Sequence, residues 1–375
     1  MGLLSEGRRN SGIDALRGIS ILTVILLHLN IRVPFKDTFL GGNLPDPVYR
    51  VLFFSGFYGV AIFFVISGFL ITSTTLNRWK SLPDISVKGF YFMRMARILP
   101  LLVLLLVTLS ILHLSGTNGY VINPDRTTLG RSILAALTFH INLLEIKVGY
   151  LPGPWDILWS LSIEEVFYLF FPLLCFLCRK EWHFVALVSV FLIISPFART
   201  TWFPGNDLGD RNHFAYLDAI SIGCVAALIA KKVHITKKLL TWSAVTGWTL
   251  FLFVFITRKW VSFLGLTKIG LNITFLAIGT ALILIWMQKL FVNGNFNPSK
   301  YTLPLRYLGK NSYEIYLTHM FVVILLTGLF KSLNLSGEWI WVLYFTAIIF
   351  SALLGDTVAR FFSNPINLKL RLKLK

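Results

Sequence analysis

The chain has 375 residues, of which 55% are hydrophobic and only 14% charged, with a mean hydropathy of +0.71. Soluble domains carry about 25% charged residues, so this composition excludes disorder, collagen and coiled coil, argues against a soluble enzyme, and fits a polytopic membrane protein. The formal net charge of +18 has no separate basic domain to carry it, so no nucleic-acid partner is expected, and three cysteines are too few for a disulfide framework.

Taken in chain order, ten apolar runs are long enough to cross a bilayer: residues 15–32, 52–76, 98–116, 158–178, 184–200, 214–230, 239–257, 269–288, 312–331 and 339–362. An eleventh stretch, 129–146, is interrupted by Arg131, His140, Asn142 and Glu145 and reads as re-entrant or interfacial. The first run has no small-residue cleavage site, so it is expected to stay in the protein. No internal repeat or soluble appendage is visible, and residues 1–375 read as one membrane domain: an all-α bundle of about ten transmembrane helices.

Basic residues orient the chain, because cytoplasmic segments are enriched in Lys and Arg. With the N-terminus inside, 21 of the 35 basic residues fall in inside segments and 12 in outside segments, with Arg17 and Arg360 within spans. The inside set comprises Arg8 and Arg9; Arg78, Lys80, Lys88, Arg94 and Arg97; Arg179 and Lys180; Lys231, Lys232, Lys237 and Lys238; Lys289, Lys300, Arg306 and Lys310; and Lys369, Arg371, Lys373 and Lys375. Both termini are therefore expected to be cytoplasmic, with the chain multi-pass in the cell (inner or plasma) membrane.

Ionisable groups inside spans are costly and mark function by default. Here they are Asp14, Arg17, His28, Glu164, Glu165, Asp218, Glu314, His319, Asp356 and Arg360. Some are expected simply to pair and hold helices together, but so many need a polar interior. On the first span Asp14, Arg17 and His28 fall within about 60° of one another at 100° per residue. Asp14 and Arg17 can pair at i, i+3, and His28 lies about 16 Å further along. The expected topology sorts these groups into two layers. Arg94 and Arg97 sit at the inner mouth of the third span, in a spacing suited to anionic phosphate, although positive-inside topology alone accounts for them equally well. Trp159, Glu164, Glu165 and Asp218 fall in the outer layer with His28, where an imidazole beside a carboxylate suits general-base chemistry. Tyr313 and Tyr316 begin the ninth span on the inner side, with His319 a little deeper.

Five ordered blocks carry a family resemblance: IDALRGISILTVILLHL (13–29), YGVAIFFVISGFLI (58–71), FMRMARILP (92–100), WSLSIEEVFYLFFP (159–172) and SYEIYLTHMF (312–321). Over about residues 11–365 the chain resembles the membrane-bound acyltransferase 3 family. The resemblance implies transfer of an acyl group, usually acetyl, from cytoplasmic acyl-coenzyme A to a hydroxyl, commonly of a glycan or lipid-linked saccharide. It matches His28 to the family's essential first-helix histidine, Arg17 to the arginine before it, and Arg94 and Arg97 to a pair associated with coenzyme A. Where many members end the last span in Glu-x-Pro, this chain has Ser363-Asn364-Pro365, so any role of that glutamate is absent or moved. Members with a fused extracytoplasmic domain are longer, and none is expected here.

The sequence therefore predicts an integral membrane O-acyltransferase whose partners are acyl-CoA, a saccharide acceptor and membrane lipids. The catalytic set is His28, Glu164, Glu165, Arg17 and Asp14, with either glutamate able to orient the imidazole. The donor-binding set is Arg94, Arg97, Tyr316 and His319. No permanently bound cofactor is expected, acetyl-CoA serving as donor substrate. No metal is expected either: Cys175-x-x-Cys178 lies at a span end with no second ligand pair. Ser67-Gly68 reads as close helix packing. The rival class is a proton-coupled transporter, whose relays also use buried His, Glu and Asp, although no inverted repeat is visible.

Overall fold

The computed structural model describes residues 9–178 and 180–372. Arg8, Arg179, Lys373 and Lys375 of the inside set lie outside them. The helices that position the site are α1 (Ser11–Arg32), α2 (Gly56–Trp79), α3 (Val87–Leu114), α4 (Leu129–Leu137), α5 (Ile141–Val148), α6 (Leu158–Leu177), α7 (Glu181–Thr200), α8 (Leu217–Lys232), α9 (Lys237–Ile256), α10 (Leu271–Val292), α11 (Leu303–Lys310), α12 (Ser312–Ser332) and α13 (Ile340–Val358). No strand occurs among the described residues. The lipid solvent explains this: a backbone inside hydrocarbon must satisfy its own N–H and C=O groups, which a helix does within one segment.

Nine helical segments among the described residues are long and apolar enough to cross a membrane, one fewer than the ten expected. The exception is α8, with 16 residues, about 24 Å at 1.5 Å per residue against a hydrocarbon core of about 30 Å. Much of its length is buried by α2, α7 and α10. The interrupted stretch 129–146 forms two short helices, α4 and α5, as a non-spanning segment should.

Close helix contact relies on missing side chains at several crossings, two of which bear on the site. A Cβ on Gly223 of α8 would stand 2.0 Å from the Val65 carbonyl oxygen of α2, and one on Gly68 would stand 1.9 Å from that of Ile220. This bears out the packing reading for Gly68, whereas Ser67 faces the cavity. At the second crossing α11, an eight-residue helix absent from the sequence reading, lies against α1: a Cβ on Gly309 would meet the Asp14 carbonyl oxygen at 1.7 Å. Side chains facing away from the bundle are apolar, with Phe176, Trp341 and Phe345 all exposed, as expected where lipid is the solvent.

The largest difference from the sequence reading is at α3. It begins at Val87, 11 residues before the expected 98. Arg94 and Arg97 therefore sit two to three turns inside a helix and not at its mouth. The charges of Lys88, Arg94 and Arg97 depress the local hydropathy and hide the helix start.

Candidate active site

A cavity of about 620 Å3 opens where α1 begins, walled by α1, α2, α3, α6, α12 and the C-terminal helix Asn364–Leu372. Its volume is typical of small-molecule sites. Six arginines and a lysine line it against two glutamates, an excess suited to a polyanion.

The two glutamates belong to this cavity. Arg94 Nη2 lies 3.2 Å from Glu165 and 3.7 Å from Glu164, and its guanidinium stacks 3.7 Å over the Tyr168 ring. Tyr168 Oη donates to Glu164 Oε1 at 2.6 Å. Ser67 Oγ bonds the same carboxylate oxygen and lies 2.5 Å from Tyr168 Oη. The expected placement of Glu164 and Glu165 in the outer layer with His28 is thus corrected. Because α3 starts early, Arg94 reaches deep enough to draw both carboxylates into the arginine layer. Neither glutamate hydrogen-bonds His28.

The expected Asp14–Arg17 pair is also replaced. Asp14 lies in the first turn of α1, and Arg9, just ahead of the helix, folds back to donate to both its oxygens at 2.6 and 2.7 Å. Arg17 turns instead toward α12 and donates to Ser312 Oγ at 3.0 Å. Arg17 makes no ion pair among the described residues, in contrast to Arg94 and to Arg97, which lies 3.3 Å from Glu314. Arg17, Arg78 and Lys310 thus line the cavity without a carboxylate partner among the described residues.

Tyr316 and Ser160 close the deep end. Tyr316 Oη donates to the Ile157 carbonyl at 3.0 Å and lies 2.7 Å from Ser160 Oγ. Tyr316 lines the cavity, but His319, one turn further along α12, does not. The His319 ring centroid stands 5.3 Å from that of His28 and 6.0 Å from that of Tyr316. His319, grouped with the donor arginines from sequence, therefore belongs to the histidine layer, because one helical turn carries it past the cavity floor.

Beyond the histidines lies a second polar cluster. Arg211, in the loop before α8, bonds Asp156 at 2.5 Å and Glu145 at 3.2 Å, and its guanidinium stands 5.0 Å from both the Trp159 and the Tyr150 ring. Burial, and then the neighbouring Asp156 carboxylate, push the Glu145 carboxyl well above the usual carboxylate range against the pull of Arg211. Asp218 plays a structural part. Arg199 grips it with two bonds of 2.9 and 2.7 Å and donates at 2.8 Å to the Gly270 carbonyl, tying α7, α8 and α10 together with every partner satisfied. Asp356 and Arg360 pair with each other at 2.7 Å. Tyr168, Asp156, Arg199 and Arg211 escaped the sequence reading, and Ser67, read there as packing, is a site residue. Only Tyr168, four residues after Glu164 on one helix face, carried a local signal. The described residues contain no cluster fit to hold a metal.

Comparison with known proteins agrees with this architecture. The acyltransferase 3 family model, described as an acyltransferase domain, matches residues 10–358; the chain belongs to this family of multi-pass membrane proteins. It is 25% identical over 96% of its length to the O-acetyltransferase OatA of Staphylococcus aureus (strain NCTC 8325 / PS 47), covering 57% of that protein. A second S. aureus (strain COL) protein, provisionally named as an O-acetyltransferase, is 26% identical over 94% of this chain, which covers 56% of it. The chain thus spans a little over half the length of these curated relatives. No solved structure matches it.

Proposed function

We propose that the chain is an integral membrane O-acetyltransferase moving an acetyl group from cytoplasmic acetyl-CoA to a hydroxyl of a glycan or lipid-linked saccharide. The observation that carries this reading is the juxtaposition of an arginine-rich cavity with a histidine pair, His319 buried and His28 partly buried, across the Tyr316 floor. Family membership favours acyl transfer over the transporter alternative. The positive-inside count supports a cavity mouth, with Arg9 and Lys310, on the cytoplasmic side.

In this reading the donor's phosphates rest on the cations that no carboxylate neutralises, Arg17, Arg78 and Lys310, with Arg97 beside them. Arg94 holds Glu164 and Glu165 as part of the wall. The pantetheine arm runs down the cavity toward Tyr316, carrying the thioester to the histidine layer. His28 takes the proton of the acceptor hydroxyl, the oxygen attacks the thioester carbonyl carbon, and the tetrahedral intermediate collapses with release of the coenzyme A thiolate. The acceptor approaches from the side of Arg211, Trp159 and Tyr150, which present a carboxylate-braced cation and two aromatic faces.

A general base contributes about 10²–10⁴-fold. His28→Ala is therefore expected to lower kcat for thiol release from acetyl-CoA at least about 100-fold, with acetyl-CoA affinity by calorimetry unchanged. His28→Asn should not rescue, since an amide does not take up the proton at neutral pH. A folded His28→Asn protein with near-normal turnover ends the general-base assignment. Comparing the mass of surface glycans with and without the gene identifies the acceptor.

A further inference from the structure

His319 is wholly buried, and its Nδ1 faces two backbone carbonyls of its own helix, Tyr316 at 2.7 Å and Ile315 at 3.2 Å. Carbonyl oxygens only accept, so Nδ1 carries the hydrogen and Nε2 is the bare, accepting nitrogen. That Nε2 has no hydrogen-bond partner among the described residues. Buried polar atoms are nearly always paired, and an exception needs a reason. The ring beside it is that of His28, with centroids 5.3 Å apart and planes tilted by 46°. Ring atoms lie about 1 Å from the centroid, so a turn of the His28 ring brings a nitrogen to about 3 Å from its neighbour, within hydrogen-bond reach. Catalytic hydrogen bonds often tighten only when substrate binds. Among the described residues no carboxylate hydrogen-bonds or ion-pairs with His28, since Glu164 and Glu165 are held by Arg94.

We propose that His319 is the positioning partner of His28: its Nε2 accepts the N–H of His28, fixing which His28 nitrogen faces the acceptor hydroxyl and sharing the positive charge that arises when His28 takes the proton. A neutral imidazole occupies the place in which many hydrolases use a carboxylate. The hydrogen of His319 Nδ1 stays on the helix carbonyls throughout, so no proton leaves the pair by that route. The inference rests on His28 being the general base, and the experiment separates the two.

Gln and Asn divide the two nitrogens of His319. The far amide oxygen of Gln occupies the place of Nε2, whereas Asn reproduces only Nδ1 and its helix bond. The full chain, in membrane vesicles from the cell that encodes it, is given acetyl-CoA as donor with the vesicles' own glycans as acceptor. Thiol release is followed for His319→Ala, His319→Gln, His319→Asn and His28→Asn. Loss of the orienting partner of a metal-bound imidazole costs about 10–100-fold, and the same order is expected for His28. His319→Ala and His319→Asn are expected to lose kcat on that scale with the donor KM unchanged, and His319→Gln to recover most of it. Rescue by Asn in place of Gln makes the role structural and overturns the proposal. A change confined to the donor KM returns His319 to the donor site, and full turnover in His319→Ala removes it from the reaction. A turning-over His28→Asn protein refutes the underlying base assignment instead.

Discussion

Arg94 is the residue on which the arginine layer turns. It meets two carboxylates at once, and Glu165 is the more buried, with 9% of its side chain exposed. Removing one partner of a buried pair strands the other charge, typically at about 3–5 kcal/mol. Arg94→Ala should therefore destabilise the protein by about 3 kcal/mol, beyond any effect on donor binding. Arg94→Ala combined with Glu165→Gln should recover much of that loss. Thermal unfolding of the two single variants and the double variant measures it; an additive double variant would show that the pair is not coupled. No local signal in the sequence announces this pairing, because the partners are 71 positions apart. His28 and Arg17 were legible as polar groups in an apolar helix, and Asp218 likewise. Their partners, His319, Ser312 and Arg199, are set by packing between helices that no periodicity encodes. The i, i+3 spacing permits Asp14 to pair with Arg17, yet Arg9, just ahead of the helix, takes the carboxylate.

At the scale of the helix, hydropathy reads lipid-facing segments well and charged or short ones poorly. Most spans lie within a few residues of their expected bounds, whereas α3 gains three turns that its basic residues conceal and α11, amphipathic and only eight residues long, resembles a loop. The α2–α8 crossing offers a test. A methyl group on Gly223 meets a backbone oxygen, which cannot swing aside as a side chain does, so the helices must separate. Overpacking costs typically about 1–3 kcal/mol, and Gly223→Ala is expected to reach at least the upper part of that range. Gly328 of α12 is the control: nothing lies within 4 Å of its added Cβ. Gly328→Ala should be neutral or stabilising by up to about 1 kcal/mol, the helix-propensity difference. Unfolding in lipid nanodiscs distinguishes them; equal stability of the two variants would mean that α2 and α8 can part at no cost.

Across the whole molecule the basic helix ends gather on one side. Lys232 pairs with Glu181 at the start of α7, Lys231 donates to Asn77 near the end of α2, and Lys289 of α10 donates to the Val233 carbonyl. The same side holds the cavity mouth in the proposed orientation. Neutralising Lys231, Lys232, Lys237 and Lys238 to Gln is accordingly expected to disturb insertion more than turnover, as read by labelling of a cysteine placed at Ser299. Loss of activity from one such change with orientation intact would move the donor site to this loop. The cavity has a further consequence for the electric field. In the proposed orientation, water and mobile counter-ions entering as far as Tyr316 would carry the potential of that compartment deep into the protein, and with the Arg211 side equally wetted most of the transmembrane voltage would fall across the thin layer from Tyr316 to His28. One elementary charge crossing that layer exchanges about 2.3 kcal/mol with a potential of 100 mV, although the layer is far thinner than the bilayer. An acetyl group crosses it without electrical work, and so does the released thiol if the proton taken up by His28 returns with the coenzyme A thiolate toward the cavity; a proton lost on the side of Arg211 instead leaves the thiolate to cross alone, and one elementary charge then exchanges that energy.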